Sequence, residues 1–139
     1  MGFLEHWRNQ EVDEQGSLLP TEESSGIIDH TEPSRKLSYG QLHDEVQERG
    51  GTRRTHATLN NMANEQMLGE ATSDLYQGMN LRQGDRGQLP TEAKEALMTG
   101  DIAARHQIVT DDAQGHYPIV QSARKGYRKA SRLFPWNKE

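Results

Sequence analysis

The chemistry that this 139-residue chain can offer is concentrated near its C-terminus. On a helical wheel at about 100° per residue, with Ala123 at zero, Val120, Ala123, Tyr127, Ala130 and Phe134 fall within roughly 340° to 60°. Arg124, Lys125, Arg128, Lys129 and Arg132 fall between roughly 100° and 240°, on the opposite face. Five cations on one face with no acid among them repel one another, and intrahelical pairs cannot relieve them. Such a face suits an anionic partner. Phosphate backbone comes first, because each Lys or Arg that neutralises a phosphate releases counterions. An acidic protein surface is second, and a merely solvated face is the plain alternative. A membrane surface fits less well, since the other face is rich in alanine and too weakly apolar to insert.

Two further basic pairs could extend this patch. Arg53–Arg54 opens a helical segment, and Arg82 and Arg86 stand in a glycine-containing stretch where a side chain can approach phosphate closely. Ordinary loop polarity explains the second pair as well. At the other end of the chain, Phe3, Leu4 and Trp7 are spaced as one helical turn that could dock into a partner's groove.

Other chemistry is missing from the pattern. The six histidines are scattered, and none pairs at i, i+4 around a glutamate as a zinc hydrolase requires. There is no phosphate-cradling loop ending in Lys-Ser/Thr and no Gly-x-Ser-x-Gly elbow. With no cysteine, disulfides, thiolate metal sites and cysteine nucleophiles are excluded, which fits a reducing, cytoplasmic setting. The expectation is a non-enzyme with no cofactor and no metal.

Composition constrains the elements that must hold these residues. Leu, Ile, Val and Phe together number 23, about 17% of the chain and below the ~20% under which disorder becomes common, but the net charge is only −5. That charge is a gradient: residues 1–50 carry −7, residues 51–110 carry −1 and residues 111–139 carry +3. No apolar run approaches the ~20 residues needed to cross a bilayer, and the N-terminus has no signal-peptide pattern. Residues 8–35 show no helical or strand period, so residues 1–36 read as a disordered acidic leader, 37–134 as the ordered domain and 135–139 as a short tail.

Within the domain, Ser38 with Gln41 suggests a capping box for a first helix ending at Gly50–Gly51, with only Leu42 and Val46 as its apolar stripe. A second helix runs from about Thr55 to Leu68, with Gly69 at C′. Thr72 caps a short third helix closed by Gly78, and residues 79–90 form a loop. Thr91 caps a fourth helix reaching about Ile108. Its small residues Ala93, Ala96, Gly100 and Ala104 permit close approach, while Met98 and Ile102 form a second stripe, which places this helix centrally. After a polar loop over residues 111–116, Pro118 starts the fifth, basic helix and Pro135 stops it. The expected fold is all-α, a small bundle of about five helices preceded by the disordered acidic leader.

Residues 55–134 resemble the C-terminal half of the DNA-damage-inducible protein D family, related to phage antirepressors of the BRO type. The similarity rests on Leu68-Gly69 through Leu75-Tyr76, on Asn80-Leu81-Arg82-Gln83-Gly84 leading to the Thr91–Arg105 helix, and on His116 through the Arg124–Leu133 helix. The resemblance implies DNA-linked regulation, in damage response, repair or recombination, and carries no catalytic residues. Where that family has a BRO-like N-terminal domain, this chain has residues 1–36.

Two functions follow as expectations. The first is a DNA-associated regulatory protein that binds nucleic acid without sequence specificity through Arg124, Lys125, Arg128, Lys129 and Arg132, aided by Arg82 and Arg86. The second is a protein–protein adaptor that docks through Phe3, Leu4 and Trp7, its basic helix meeting an acidic partner. With so few large apolar side chains, completion of the bundle by a second copy as a homodimer is also expected.

Overall fold

Among the residues that a computed structural model describes, 2–14 and 31–137, there are six α-helices. They are α1 (Phe3–Glu14), α2 (Thr31–Glu48), α3 (Arg53–Leu68), α4 (Thr72–Gly78), α5 (Thr91–Asp111) and α6 (His116–Ser131). Two short 3₁₀ turns, Arg86–Gln88 and Pro135–Asn137, accompany them, and there is no strand among the described residues. The all-α class stands as expected, with one helix more than the expected five or so.

The additional helix corrects the leader. Phe3–Glu14 is helical, and α2 begins at Thr31 rather than near Leu37. The rest of the expected leader, residues 15–30, lies outside the described residues. Glu32 and Pro33 sit in the first turn of α2, where an acid meets the positive helix end and proline loses no hydrogen bond. Ser38 is therefore not a cap but a buried mid-helix residue. The buried face of α2 is Arg35, Ser38, Leu42 and Val46, a regular helical stripe. Its first two positions are polar, so its apolar part is confined to Leu42 and Val46.

α3 begins with a capping box made by two threonines. The Thr52 backbone N–H donates to Thr55 Oγ1 at 3.0 Å, while the Thr52 side chain accepts from the Thr55 backbone. Gly69 ends the helix in the left-handed region, φ 67°, as its C′ position requires. Thr72 and Thr91 are first helical residues; the capping positions are Ala71 and Pro90.

α5 is the central element, packed against α2, α3 and α6, with its largest interface on α6. Ala93, Ala96, Gly100 and Ala104 are all buried, as their spacing suggested. A Cβ on Gly100 would fall 2.6 Å from Met67 Cγ, and one on Gly126 would fall 2.6 Å from the Ala103 carbonyl oxygen. The contact at Gly126 is with backbone, so α6 meets the α5 backbone there, whereas Gly100 makes room for the side chains of Met67 and Tyr127. The second stripe differs from expectation: Met98 is half-buried and Ile102 faces solvent. The short tail is structural. Trp136 is 1% exposed, and its indole Nε1–H donates to the Met67 carbonyl at 2.7 Å, which also accepts from Asn137 Nδ2 at 2.8 Å, so the turn satisfies a group near the end of α3.

Candidate functional site: a cationic groove and an adjoining polar cavity

The docking turn at the N-terminus is occupied by the chain itself. Phe3 is fully buried and meets Trp136 edge-on at 4.9 Å between ring centroids. Leu4 is buried and Trp7 packs half-buried against the core. His6 Nε2 lies 3.0 Å from Glu92 Oε1 at the start of α5. The spacing of Phe3, Leu4 and Trp7 does describe a docking helix, but its groove lies between the C-terminal turn and the bundle, not on a partner.

The four cations of α6 and Arg132 at its C-cap are all exposed, and the interior face of the helix holds Ile119, Ser122, Ala123, Gly126, Tyr127 and Ala130. The neighbouring helices divide the five. On the α5 side, Lys125 Nζ reaches Asp111 Oδ2 at 3.3 Å and Lys129 Nζ donates to Gln107 Oε1 at 3.1 Å. Asp111 also accepts from Ser122 Oγ, and that bond, followed by Lys125, holds its carboxyl below the usual range. On the α3 side, Arg124 and Arg128 line a shallow groove of about 280 Å³ with Thr58, Asn61, Met62, Glu65 and Gln66. Farther along α3, the Arg54 guanidinium sits over the exposed Tyr117 ring, 5.8 Å from its centroid. Arg124, Arg128 and Arg132 have no ion-pair partner among the described residues, so their charge is available to an anion.

Arg82 is exposed in the loop after α4, but Arg86 is not the surface phosphate contact expected of it. Its side chain is 10% exposed and points inward: Nη2 donates to the Asn60 carbonyl at 3.3 Å, and the guanidinium covers the Tyr39 ring at 5.2 Å. Nη1 stands 3.8 Å from Asp101 Oδ2, too far for a direct hydrogen bond. Asp101 is fully buried in α5 and accepts from Tyr127 OH at 2.8 Å. Burial raises its carboxyl above the ordinary range, while Arg86 and the Tyr127 hydroxyl oppose that rise. Arg86 is thus a buried cation facing a buried acid.

Arg86 also forms one wall of a cavity of about 480 Å³ between α2, α3, α4 and the 84–87 turn. Glu32 on its α2 rim binds Arg35 of the same helix and Lys94 of α5, the latter at 2.7 Å. The hydrogen bond from Arg35, with help from Lys94, pulls the Glu32 carboxyl down to about 2. Asn60 and Asn64 face the cavity from α3 and Tyr76 from α4. Asn61 lines both this cavity and the Arg124–Arg128 groove, so the two depressions adjoin across α3. Sequence reasoning misses this site because its polar residues come from four elements and match no motif. A signal is present, however: three asparagines within five residues of a helix interior, where asparagine is a poor helix former.

A titratable pair borders the same region. His43 and His56 place their Nδ1 atoms 2.7 Å apart, joining α2 to α3. Burial, reinforced by His56 and Arg86, lowers His43 to about 4. Among the described residues no cluster of three or more His, Cys, Asp or Glu could hold a metal, and no helix is long and apolar enough to cross a membrane.

Compared with known proteins, the chain matches no family model, and no curated protein is significantly similar to it in sequence.

Proposed function

We propose that this protein is a non-enzymatic, DNA-associated regulatory protein that binds the phosphate backbone through the exposed cationic face of α6. The observation that carries the reading is the unpaired state, among the described residues, of Arg124, Arg128 and Arg132 on that face. Arg124 and Arg128 stand over a groove whose other wall, α3, supplies the amides of Asn61 and Gln66. Neutral hydrogen-bonding groups beside unpaired guanidiniums suit a phosphate backbone, which such contacts position without reading sequence. Glu65 in the same groove disfavours anions at one point and so restricts the path a strand can take. The resemblance to the DNA-damage-inducible protein D family agrees in direction and extends the proposal to regulation of damage response, repair or recombination. The adaptor reading loses its N-terminal contact, because Phe3 and Leu4 are buried against the chain's own core, and keeps only the basic helix.

The test is binding to duplex DNA over a range of salt. Affinity should fall steeply with salt, and reversing Arg124, Arg128 and Arg132 to Glu should flatten the slope by about 0.9 for each phosphate no longer neutralised. An unchanged affinity and slope in the triple variant sinks the proposal.

A further inference from the structure

The stripe of α6 that carries Arg124 and Arg128 begins with an aromatic ring. Tyr117, Arg124 and Arg128 are spaced i, i+7 and i+11, which puts them within about 40° of one another on the helical wheel. α3 runs beside α6 in the same direction. Arg54 and Thr55 meet Tyr117 and His116 near the start of the two helices, and Asn61, Glu65 and Gln66 share the groove with Arg124 and Arg128 farther on. From ring to second guanidinium the stripe is about 16 Å long, at ~1.5 Å per residue.

Tyr117 is 66% exposed, yet its ring is held by its neighbours. The Arg54 guanidinium lies over it, 5.8 Å from the centroid, and the His116 ring meets it at 82° with 4.9 Å between centroids. His116 is fixed in turn, its Nδ1 hydrogen-bonded to Thr55 Oγ1 at 2.7 Å across the helix pair. A lone exposed aromatic is ordinary on a protein surface. A ring that is oriented by its neighbours, open to solvent and in line with unpaired guanidiniums meets the requirements of a stacking platform, because little side-chain freedom is left to lose on binding.

The chemistry of the partner follows from this arrangement. Arg54, Arg124 and Arg128 have no ion-pair partner among the described residues and suit phosphate, while the ring suits the flat face of a base, as in sites for unpaired strands. A duplex keeps its base faces inside the stack and offers only edges and phosphates, so it has nothing to lay on Tyr117. An acidic protein surface would match the arginines but leave the ring without a counterpart. Glu65, the acid that lines the groove, stands about three turns along α3 from Arg54 and so does not oppose a strand passing over the ring.

We propose that Tyr117 stacks on an unpaired base of a DNA strand whose phosphates lie on Arg124 and Arg128, with Arg54 completing the contact. The proposal rests on the phosphate-binding reading of α6 and names the strand which that face takes, one with at least one base outside a duplex.

The experiment compares three probes on the full-length protein at one salt concentration: an oligo-dT of about 12 nucleotides, an abasic strand of equal length and a duplex of equal length. Oligo-dT should bind about tenfold tighter than the abasic strand, the gain expected of one stacked base. Tyr117→Ala should remove that gain and leave affinity for the abasic strand and the duplex unchanged, while Tyr117→Phe should retain it. The ring is exposed, so neither variant removes core packing. Reversing Arg124, Arg128 and Arg132 to Glu should weaken all three probes. The proposal is overturned if oligo-dT and the abasic strand bind equally, if Tyr117→Ala weakens all three probes alike, or if Tyr117→Phe loses as much as Tyr117→Ala. Those results leave the phosphate-binding reading standing. Failure of every probe to bind, or a triple reversal without effect, removes both.

Discussion

Cations stand in two adjoining regions of this molecule under opposite conditions. On α6 they face solvent: Lys125 and Lys129 rest against Asp111 and Gln107, while Arg124, Arg128 and Arg132 are unpaired among the described residues. Around the cavity they are buried: Lys94 and Arg35 share Glu32, and Arg86 faces Asp101. The first set costs the fold little and is screened by salt, which leaves its charge for a partner. The second set has been taken out of water, so each member depends on its acid and the region tolerates change poorly. A count of basic residues along the chain does not separate the two. The acids that do are Asp101, which the fold brings to Arg86, and Glu32, which pairs locally with Arg35 and across the fold with Lys94.

Removing a buried acid tests this contrast most severely. Asp101→Ala strands Arg86 and orphans the Tyr127 hydroxyl, and it should cost about 4 kcal/mol in chemical denaturation. A loss below about 1 kcal/mol would mean that the interior pair is no more dependent than the surface one.

Acid titration probes the same side of the molecule. His43 is lowered from 6.5 to about 4, so between those values the unfolded chain binds a proton that the folded chain does not. Stability is therefore full above pH 6.5 and falls as pH drops towards 4, by up to about 3 kcal/mol. Glu32 acts lower: its stabilising charge is present above 4.5 and is lost as pH falls towards 2. Urea midpoints measured between neutral pH and about pH 4 should show the first decline, and His43→Gln should flatten it. A wild-type midpoint that stays constant over that range contradicts this account.

The smallest effects belong to the surface. Lys125→Ala and Arg128→Ala should each change stability by no more than about 0.5 kcal/mol, since one loses an exposed pair and the other loses none. If either variant unfolds the protein, the α6 cations support the bundle and are not held for a partner.

Much of the fold is legible in the sequence wherever a local period or cap acts alone. The amphipathic split of α6, the small stripe Ala93–Ala96–Gly100–Ala104 and the end of α3 at Gly69 follow from helix geometry and from glycine's access to positive φ. Errors arise where a buried face is polar. The expected start of α2 falls too late because Arg35 and Ser38 occupy core positions, and no apolar period marks them. The Thr52–Thr55 capping box is hidden because its second member is a threonine in place of the usual Glu or Gln. Phe3, Leu4 and Trp7 carry the spacing of a docking turn, yet their groove depends on Trp136, at the far end of the chain.

Residue types and spacings within single helices suffice for the helical class, the lack of thiol chemistry and the cationic face of α6, because the 3.6-residue turn converts them directly into geometry. Which cations remain free was left to packing. Arg86 became an interior residue because the fold brought Asp101, Asn60 and Tyr39 around it, and the cavity exists only where four elements meet. Burial and pairing set the energy of a charge, and both depend on neighbours distant along the chain.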